Sequence, residues 1–196
     1  MSNNSILQKY TEQLEKLKKI VIETNSNIVS EDPSPYFEKN VNFFTKSFLV
    51  NLCAYLESFI KDITFYHIEK INQKIISAKI PHNLILWDIN YDKEIKDKSF
   101  VFKNLKIKIK KKDLDSHISG SPYRTLKLFR NIGIDLDSIS AFNNHKENVN
   151  MIIVKRNKIL HHNDEASDIS LNDVTDYISE IVNYMEVLSE SIDNSE

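Results

Sequence analysis

Hydrophobic residues recur at helical spacing from the start of the chain. Intervals of three and four residues between apolar side chains are typical of an amphipathic helix, and they predict a first helix that ends near Asn25. A second set at the same spacing predicts a long helix from about Phe37 to Ser77. The first set is Ile6, Tyr10, Leu14, Leu17 and Val21, and the second is Phe44, Phe48, Leu52, Tyr55, Phe59, Ile63 and Tyr66. Pro33 and Pro35 separate the two helices, because proline is not tolerated inside a helix.

Three more helices are predicted after residue 120. A Ser-Pro pair begins a short helix over 121–128, since proline is favoured at the first helical position, and Gly133 stops it. A helix over 146–160 carries Val149, Ile152, Ile153, Ile159 and Leu160 as its apolar residues. The last helix follows Ser170, which forms a capping-box pattern with Asp173. Its apolar positions are Val174, Ile178, Ile181, Met185, Leu188 and Ile192.

Residues 82–120 are the least regular part of the chain and are predicted to form an irregular, lysine-rich insertion. Within it, Leu105, Ile107 and Ile109 alternate with lysines, so a short strand or hairpin is an alternative. Two glycines and four prolines are too few for the turns of a β-sandwich or a phosphate-binding α/β fold. The sequence therefore predicts one all-α domain over 1–196, an up-and-down bundle of four to five helices.

The charge of the chain is unevenly distributed. Residues 163–196 contain ten acidic residues and no lysine or arginine. The overall formal charge is -2 and this segment carries -10, so residues 1–162 carry +8. The lysines over 103–112 are suited to binding an RNA backbone, and the alternative is a solvated surface segment.

The chain contains a single cysteine, Cys53, which excludes an internal disulfide and a multi-cysteine metal site. Four scattered histidines lack the spacing of metal ligands: His67, His82, His117 and His145. No metal and no cofactor are therefore expected. The N-terminus lacks a secretory signal pattern, and charged residues interrupt the most apolar window, 48–63. We therefore expect a cytoplasmic protein without a membrane partner.

Four residues separate Arg156 from His161 near the end of a predicted helix. They combine a permanent cation with a side chain that titrates near neutrality. Such a pair can bind a phosphodiester and transfer a proton, as metal-free RNA cleavage requires, because RNA supplies its own 2′-hydroxyl nucleophile. Five residues rotate about 140° around a helix, so inward turning of His161 or His162 needs a frayed helix end. The alternative is a surface arginine and a histidine favoured by the helix dipole.

Arg156-Asn157, three intervening residues and His161, in the penultimate helix of an all-helical bundle, resemble the signature of the HEPN superfamily. The segment Leu-Cys-Ala-Tyr-Leu-Glu-Ser-Phe-Ile-Lys-Asp-Ile over 52–63 is similar to the first core helix of one bacterial branch of that superfamily. HEPN proteins are mostly prokaryotic ribonucleases of toxin–antitoxin, abortive-infection and anti-phage defence systems. The resemblance thus implies a HEPN-like fold and a role as a toxin or in antiviral defence.

The resemblance also implies a reaction and the residues that perform it. The enzyme would be a metal-independent endoribonuclease in which the 2′-hydroxyl attacks the adjacent phosphate and leaves a 2′,3′-cyclic phosphate. By this resemblance His161 is the general acid or base, Arg156 stabilises the charge on the phosphorane, and Asn157 orients the phosphate or the histidine. His162 occupies a position where the family often has glycine, and it can replace or assist His161.

The remaining expectations concern Glu57, the substrate and the protein partners. Glu57 either points toward the motif or pairs with Lys61 at i+4 on a solvated face. RNA is the expected substrate, and the resemblance implies a homodimer with a composite active site and an antitoxin or defence-system protein as partner. Asn163 stands where HEPN toxins with nucleotidyltransferase antitoxins have a tyrosine, so modification of such a tyrosine is not expected. Two alternatives are a catalytically silent HEPN domain that binds RNA, nucleotides or proteins, and a helical scaffold for protein assembly.

Overall fold

The computed structural model of the protein describes residues 2–89, 103–162 and 168–195. Seven α-helices lie in these ranges, and no strand is found there. They are α1 (Asn3–Ile28), α2 (Pro35–Lys39), α3 (Val41–Ala78), α4 (His82–Ile89), α5 (Pro122–Asn131), α6 (Ser140–His162) and α7 (Leu171–Asp193). The predicted all-α fold class is confirmed. None of the helices in the described ranges combines the length and apolarity needed to span a bilayer.

The long helix α3 lies at the centre and packs against α1, α6 and α7. Every apolar position predicted for the cores of α1 and α7 is buried. The prediction for α3 was only partly right, since Phe44, Tyr55 and Tyr66 are partly exposed, whereas Leu49, Leu56 and Ile60 are fully buried. A helix with three neighbours buries more than one stripe, so a single-face pattern assigns its contacts incompletely.

Capping interactions fix the helix ends that the sequence predicted best. The backbone N–H of Asp173 donates to the Ser170 hydroxyl at 3.0 Å, and the Ser170 N–H donates to the Asp173 carboxylate at 2.7 Å. This capping box begins α7 as predicted. Gly133 follows α5 with a φ of +86°, a conformation that side chains disfavour. Asn40 separates α2 from α3, where the sequence predicted one uninterrupted helix.

The segment predicted to be irregular contains two distinct described parts. Its first eight residues form the helix α4, and residues 90–102 lie outside the described residues. Residues 103–110 then run without regular structure beside the end of α3, joined by one isolated antiparallel bridge between Pro81 and Asn104. The Leu105 N–H donates to the Ile80 carbonyl at 2.7 Å. Leu105 and Ile107 are half-buried and the lysines beside them are exposed, but Ile109 is 45% exposed. The period-two pattern therefore holds for the first two apolar residues only, and these residues form no strand.

Candidate active site

Helix α6 carries the sequence motif and extends further at both ends than predicted. It begins at Ser140 and includes His161 and His162 as its last two residues. The backbone of both histidines is therefore helical, and the frayed helix end expected at this point is not found. Ile152 and Ile153 are buried toward α3 and α7. The position of Asn163 lies outside the described residues.

Arg156 points from α6 toward α3, and its side chain is only 14% exposed. Its Nη2 donates to Oε1 of Glu57, and its Nη1 donates to the side-chain oxygen of Asn157 at 3.1 Å. A guanidinium has five N–H donors, so these two contacts leave others for a further ligand. The structure therefore brings three of the predicted site residues together: Arg156, Asn157 and Glu57.

Glu57 holds Arg156 and does not form the predicted i+4 pair with Lys61. Lys61 pairs with Asp115, and the Glu57 carboxylate, 33% exposed, accepts from both Arg156 and the backbone N–H of Gly120 at 3.2 Å. A charged hydrogen bond in a partly buried setting is stronger than one at an exposed surface. Glu57 thus fixes the direction of the guanidinium between two helices.

Gly120 is a site residue that sequence reasoning missed. It precedes α5 and approaches α6 so closely that a Cβ atom there would lie 2.5 Å from Cδ1 of Ile153. Only glycine fits this position without movement of Ile153. The available signal was its rarity, because it is one of two glycines in the chain and stands directly before a predicted helix start.

Substitution Gly120→Ala is expected to lower the free energy of unfolding by about 1–3 kcal/mol, the usual cost of overpacking. Changing Ile153 to valine in the same chain removes the clashing Cδ1 and should recover part of that loss. Gly133→Ala is the matched control, since it is strained by its positive φ but has no neighbour within 4 Å. Urea unfolding of the single and double variants measures the coupling. Strictly additive effects of Gly120→Ala and Ile153→Val would contradict the close approach.

Cys53 lies beside the Arg156–Glu57 pair but is not a nucleophile. Burial raises the pKa of its thiol to about 12, although the nearby Arg156 guanidinium acts in the opposite direction. The thiolate is the reactive form, so this protonated, fully buried thiol is inert near neutral pH. Among the residues that the structure describes, no three His, Cys, Asp or Glu side chains group as metal ligands.

Two side-chain contacts hold α6 against the residues that precede α7 and against the middle of α7. Lys155 contacts Asp168 at 2.8 Å, and this hydrogen bond raises the pKa of Lys155 and lowers that of Asp168. His145 contacts Glu180 at 2.9 Å through Nδ1. The Lys155 contact lies one residue before Arg156, so it ties the residues that lead into α7 to α6 beside the motif.

Comparison with known proteins identifies a family. The model of the family described as RiboL-PSP-HEPN matches residues 5–194, nearly the whole chain. Neither a curated protein nor a solved structure matches the chain significantly. The family match covers both the Glu57 segment and the Arg156 segment.

Proposed function

The chain belongs to the RiboL-PSP-HEPN family, and from this membership we propose that it is a metal-independent endoribonuclease. HEPN domains are often ribonucleases, which gives the general class. The observation that supports the finer proposal is the position of Arg156, held by Glu57 and Asn157 on the helix that ends with His161 and His162. We further propose that it acts in anti-phage defence or as a toxin controlled by a partner protein.

The proposed reaction uses only groups of the protein and the RNA. A base, for which His161 is the leading residue, removes the proton of the 2′-hydroxyl while the 2′-oxygen bonds to phosphorus. Arg156 donates to the phosphorane oxygens and stabilises their developing charge. The bond from phosphorus to the 5′-oxygen breaks, and a histidine acting as acid protonates that oxygen. The products are a 2′,3′-cyclic phosphate and a 5′-hydroxyl.

The ends of the RNA fragments test this chemistry. A labelled mixed-sequence RNA incubated with the protein and EDTA is expected to give fragments with 2′,3′-cyclic phosphate and 5′-hydroxyl ends by mass spectrometry. A 5′-phosphate with a 3′-hydroxyl would contradict attack by the 2′-hydroxyl. Complete loss of cutting in EDTA, restored by Mg²⁺, would contradict the metal-independent mechanism.

A homodimer is part of this proposal, because one motif supplies a single arginine for the phosphorane. Met151 and Val154 are large apolar side chains on the motif helix, 46% and 44% exposed. They lie three residues apart and therefore share one face of α6. Burial of this face against a second copy would bring the C-terminal ends of two α6 helices, and hence two motifs, close together.

Substitution Val154→Asp is expected to convert the dimer to a monomer at micromolar concentration and to reduce cleavage by about tenfold or more. The new carboxylate would be desolvated in the interface, which costs several kcal/mol. Ile22→Asp, at an equally exposed position on α1, is the control and should leave both dimer and activity intact. Sedimentation velocity measures the first effect and a cleavage assay the second. An active parent monomer would rule out the composite site.

The silent HEPN domain is a second candidate, and one observation favours it. Arg156 is 86% covered by its surroundings and already donates to Glu57 and Asn157, as a purely structural arginine would. A silent domain would bind RNA or nucleotides without turnover. Binding that survives His161→Ala, together with no cutting by the parent, would support this candidate.

A further inference from the structure

Residues 103–121 run back along α3 and end at the candidate active site. The chain contacts α3 in reverse order: the Ile107 N–H donates to Asn72 at 2.8 Å, Lys111 pairs with Asp62, Asp115 pairs with Lys61, and the Gly120 N–H donates to Glu57. Glu57, Lys61, Phe65 and Glu69 follow one another at i+4, so they form one ridge of the helix. This ridge joins the candidate active site to the insertion.

A groove lies between α3 and this returning segment. Its volume is about 610 Å³, and we call it the lysine groove. It is lined by Phe65, Glu69, Asn72, Lys103, Asn104, Lys106, Ile107, Lys108, Ile109, Lys110 and Lys111. Five of these residues are lysines and one is acidic. The backbone contacts to Ile80 and Asn72 fix the segment, so the lysines are presented by a positioned chain.

Lys111 forms an ion pair at one end of the groove. Lys111 pairs with Asp62, whose carboxylate also accepts from Tyr10. Burial acts to raise the pKa of Asp62, but hydrogen bonds from Lys111 and Tyr10 outweigh it and lower that pKa. Five lysines and one glutamate line the groove, so its lining carries a net positive charge.

We propose that the lysine groove binds the phosphodiester backbone of the single-stranded RNA whose scissile phosphate lies at Arg156. This inference rests on the proposed function. From Glu57 to Asn72 the helix rises about 22 Å, at 1.5 Å per residue, so the path from the candidate active site to the far end of the groove is long enough for several nucleotides. Phe65, half-buried in the groove wall, offers an aromatic face to a base. A basic groove with an aromatic wall is a common design for single-strand binding without sequence preference.

A binding experiment that does not depend on turnover tests the lysine groove. The groove variant carries Lys103→Ala, Lys106→Ala and Lys110→Ala, and all three positions are exposed. The control variant carries Lys16→Ala, Lys19→Ala and Lys39→Ala, which removes the same charge from exposed positions on α1 and α2. Fluorescence anisotropy with a 2′-O-methylated RNA of twelve nucleotides, which cannot be cleaved, gives the affinity over a range of KCl concentrations.

The groove variant is expected to lose about tenfold in affinity, and the slope of log K against log salt should become shallower by about 2. The control variant should keep the affinity and the salt slope of the parent protein. In the cleavage assay the groove variant should show a raised KM with kcat nearly unchanged. Equal losses in both variants, or none in the groove variant, would overturn the proposal.

Three further results distinguish this proposal from a site for an acidic protein and from the proposed ribonuclease activity. Equal affinity of the parent for a polyglutamate peptide of the same charge would overturn it in favour of a site for an acidic protein. In the second result, the parent protein does not cut RNA while the groove variant, unlike the control variant, loses RNA binding. That result would contradict the proposed ribonuclease activity and support RNA binding at the lysine groove. If the parent cuts RNA and the groove variant has the same KM as the parent, RNA binding at the lysine groove is contradicted and the ribonuclease activity is supported.

Discussion

Replacing Arg156 with alanine is expected to slow RNA cleavage by about 100- to 1,000-fold, the usual effect of removing one donor to a developing oxyanion. His161→Ala should slow it by about 100- to 10,000-fold, as expected for loss of a general acid or base. The two losses have different physical origins, since the arginine stabilises charge and the histidine transfers a proton. Single-turnover rates on one labelled RNA compare the variants with the parent.

Controls separate catalysis from folding in this experiment. Arg156→Ala also leaves the Glu57 carboxylate without its guanidinium, so each variant must be checked by thermal unfolding and sedimentation. Arg130→Ala removes an exposed arginine from α5 and should leave the rate unchanged. His162→Ala identifies the working histidine, because a loss larger than that of His161→Ala would assign the proton transfer to His162. Parent-like rates in Arg156→Ala and His161→Ala would eliminate the motif as the catalytic centre.

Glu57→Ala is expected to reduce kcat by about 10- to 100-fold, because misplacement of a catalytic group by about 1 Å has effects of this size. We assign Glu57 as a positioning residue that acts through Arg156. The same change should lower the free energy of unfolding by about 1–3 kcal/mol, since it leaves the mostly buried guanidinium and the Gly120 N–H without their acceptor. Glu57→Gln keeps an acceptor oxygen and should show smaller effects on both quantities.

A second glutamate that contacts α6 distinguishes positioning from stability. Glu180 of α7 pairs with His145 of α6, so Glu180→Ala also breaks a contact to the motif helix but away from Arg156. It should destabilise the fold and leave kcat close to the parent value. Affinity for 2′-O-methylated RNA should be unchanged in Glu57→Ala, so that the loss is in kcat and not in KM. An equal loss of kcat in Glu180→Ala and Glu57→Ala would contradict a specific role for Glu57.

Local sequence patterns were sufficient to predict the main helices. The Ile6–Val21 stripe of α1 and the Ser170 capping box of α7 depend on residues within a few positions of each other, and both are present in the structure. Helix ends were less predictable. Helix α1 continues to Ile28, which packs against the core, and α6 begins at Ser140, six residues before its predicted start. Phe142 in this added part of α6 is fully buried, and the sequence pattern did not include it.

The candidate site was predictable only in its local part. Arg156 and Asn157 are neighbours in the chain, so the motif placed them together. The partner of Arg156 is Glu57, 99 positions away in the chain. Whether Glu57 pairs with Arg156 or with its local neighbour Lys61 depends on how α3 packs against α6. Gly120 has no signal other than its rarity, because its role arises from the closeness of Ile153 in a different helix.

The most direct test of the central claim is the cutting of RNA in EDTA by the purified parent and by an Arg156→Ala, His161→Ala double variant. We predict that the parent cuts and that the folded double variant does not cut above background. Equal cutting by both proteins would contradict the claim that the α6 motif is the ribonuclease centre. No cutting by a folded, dimeric parent would contradict the claim of an active enzyme and favour the silent HEPN domain.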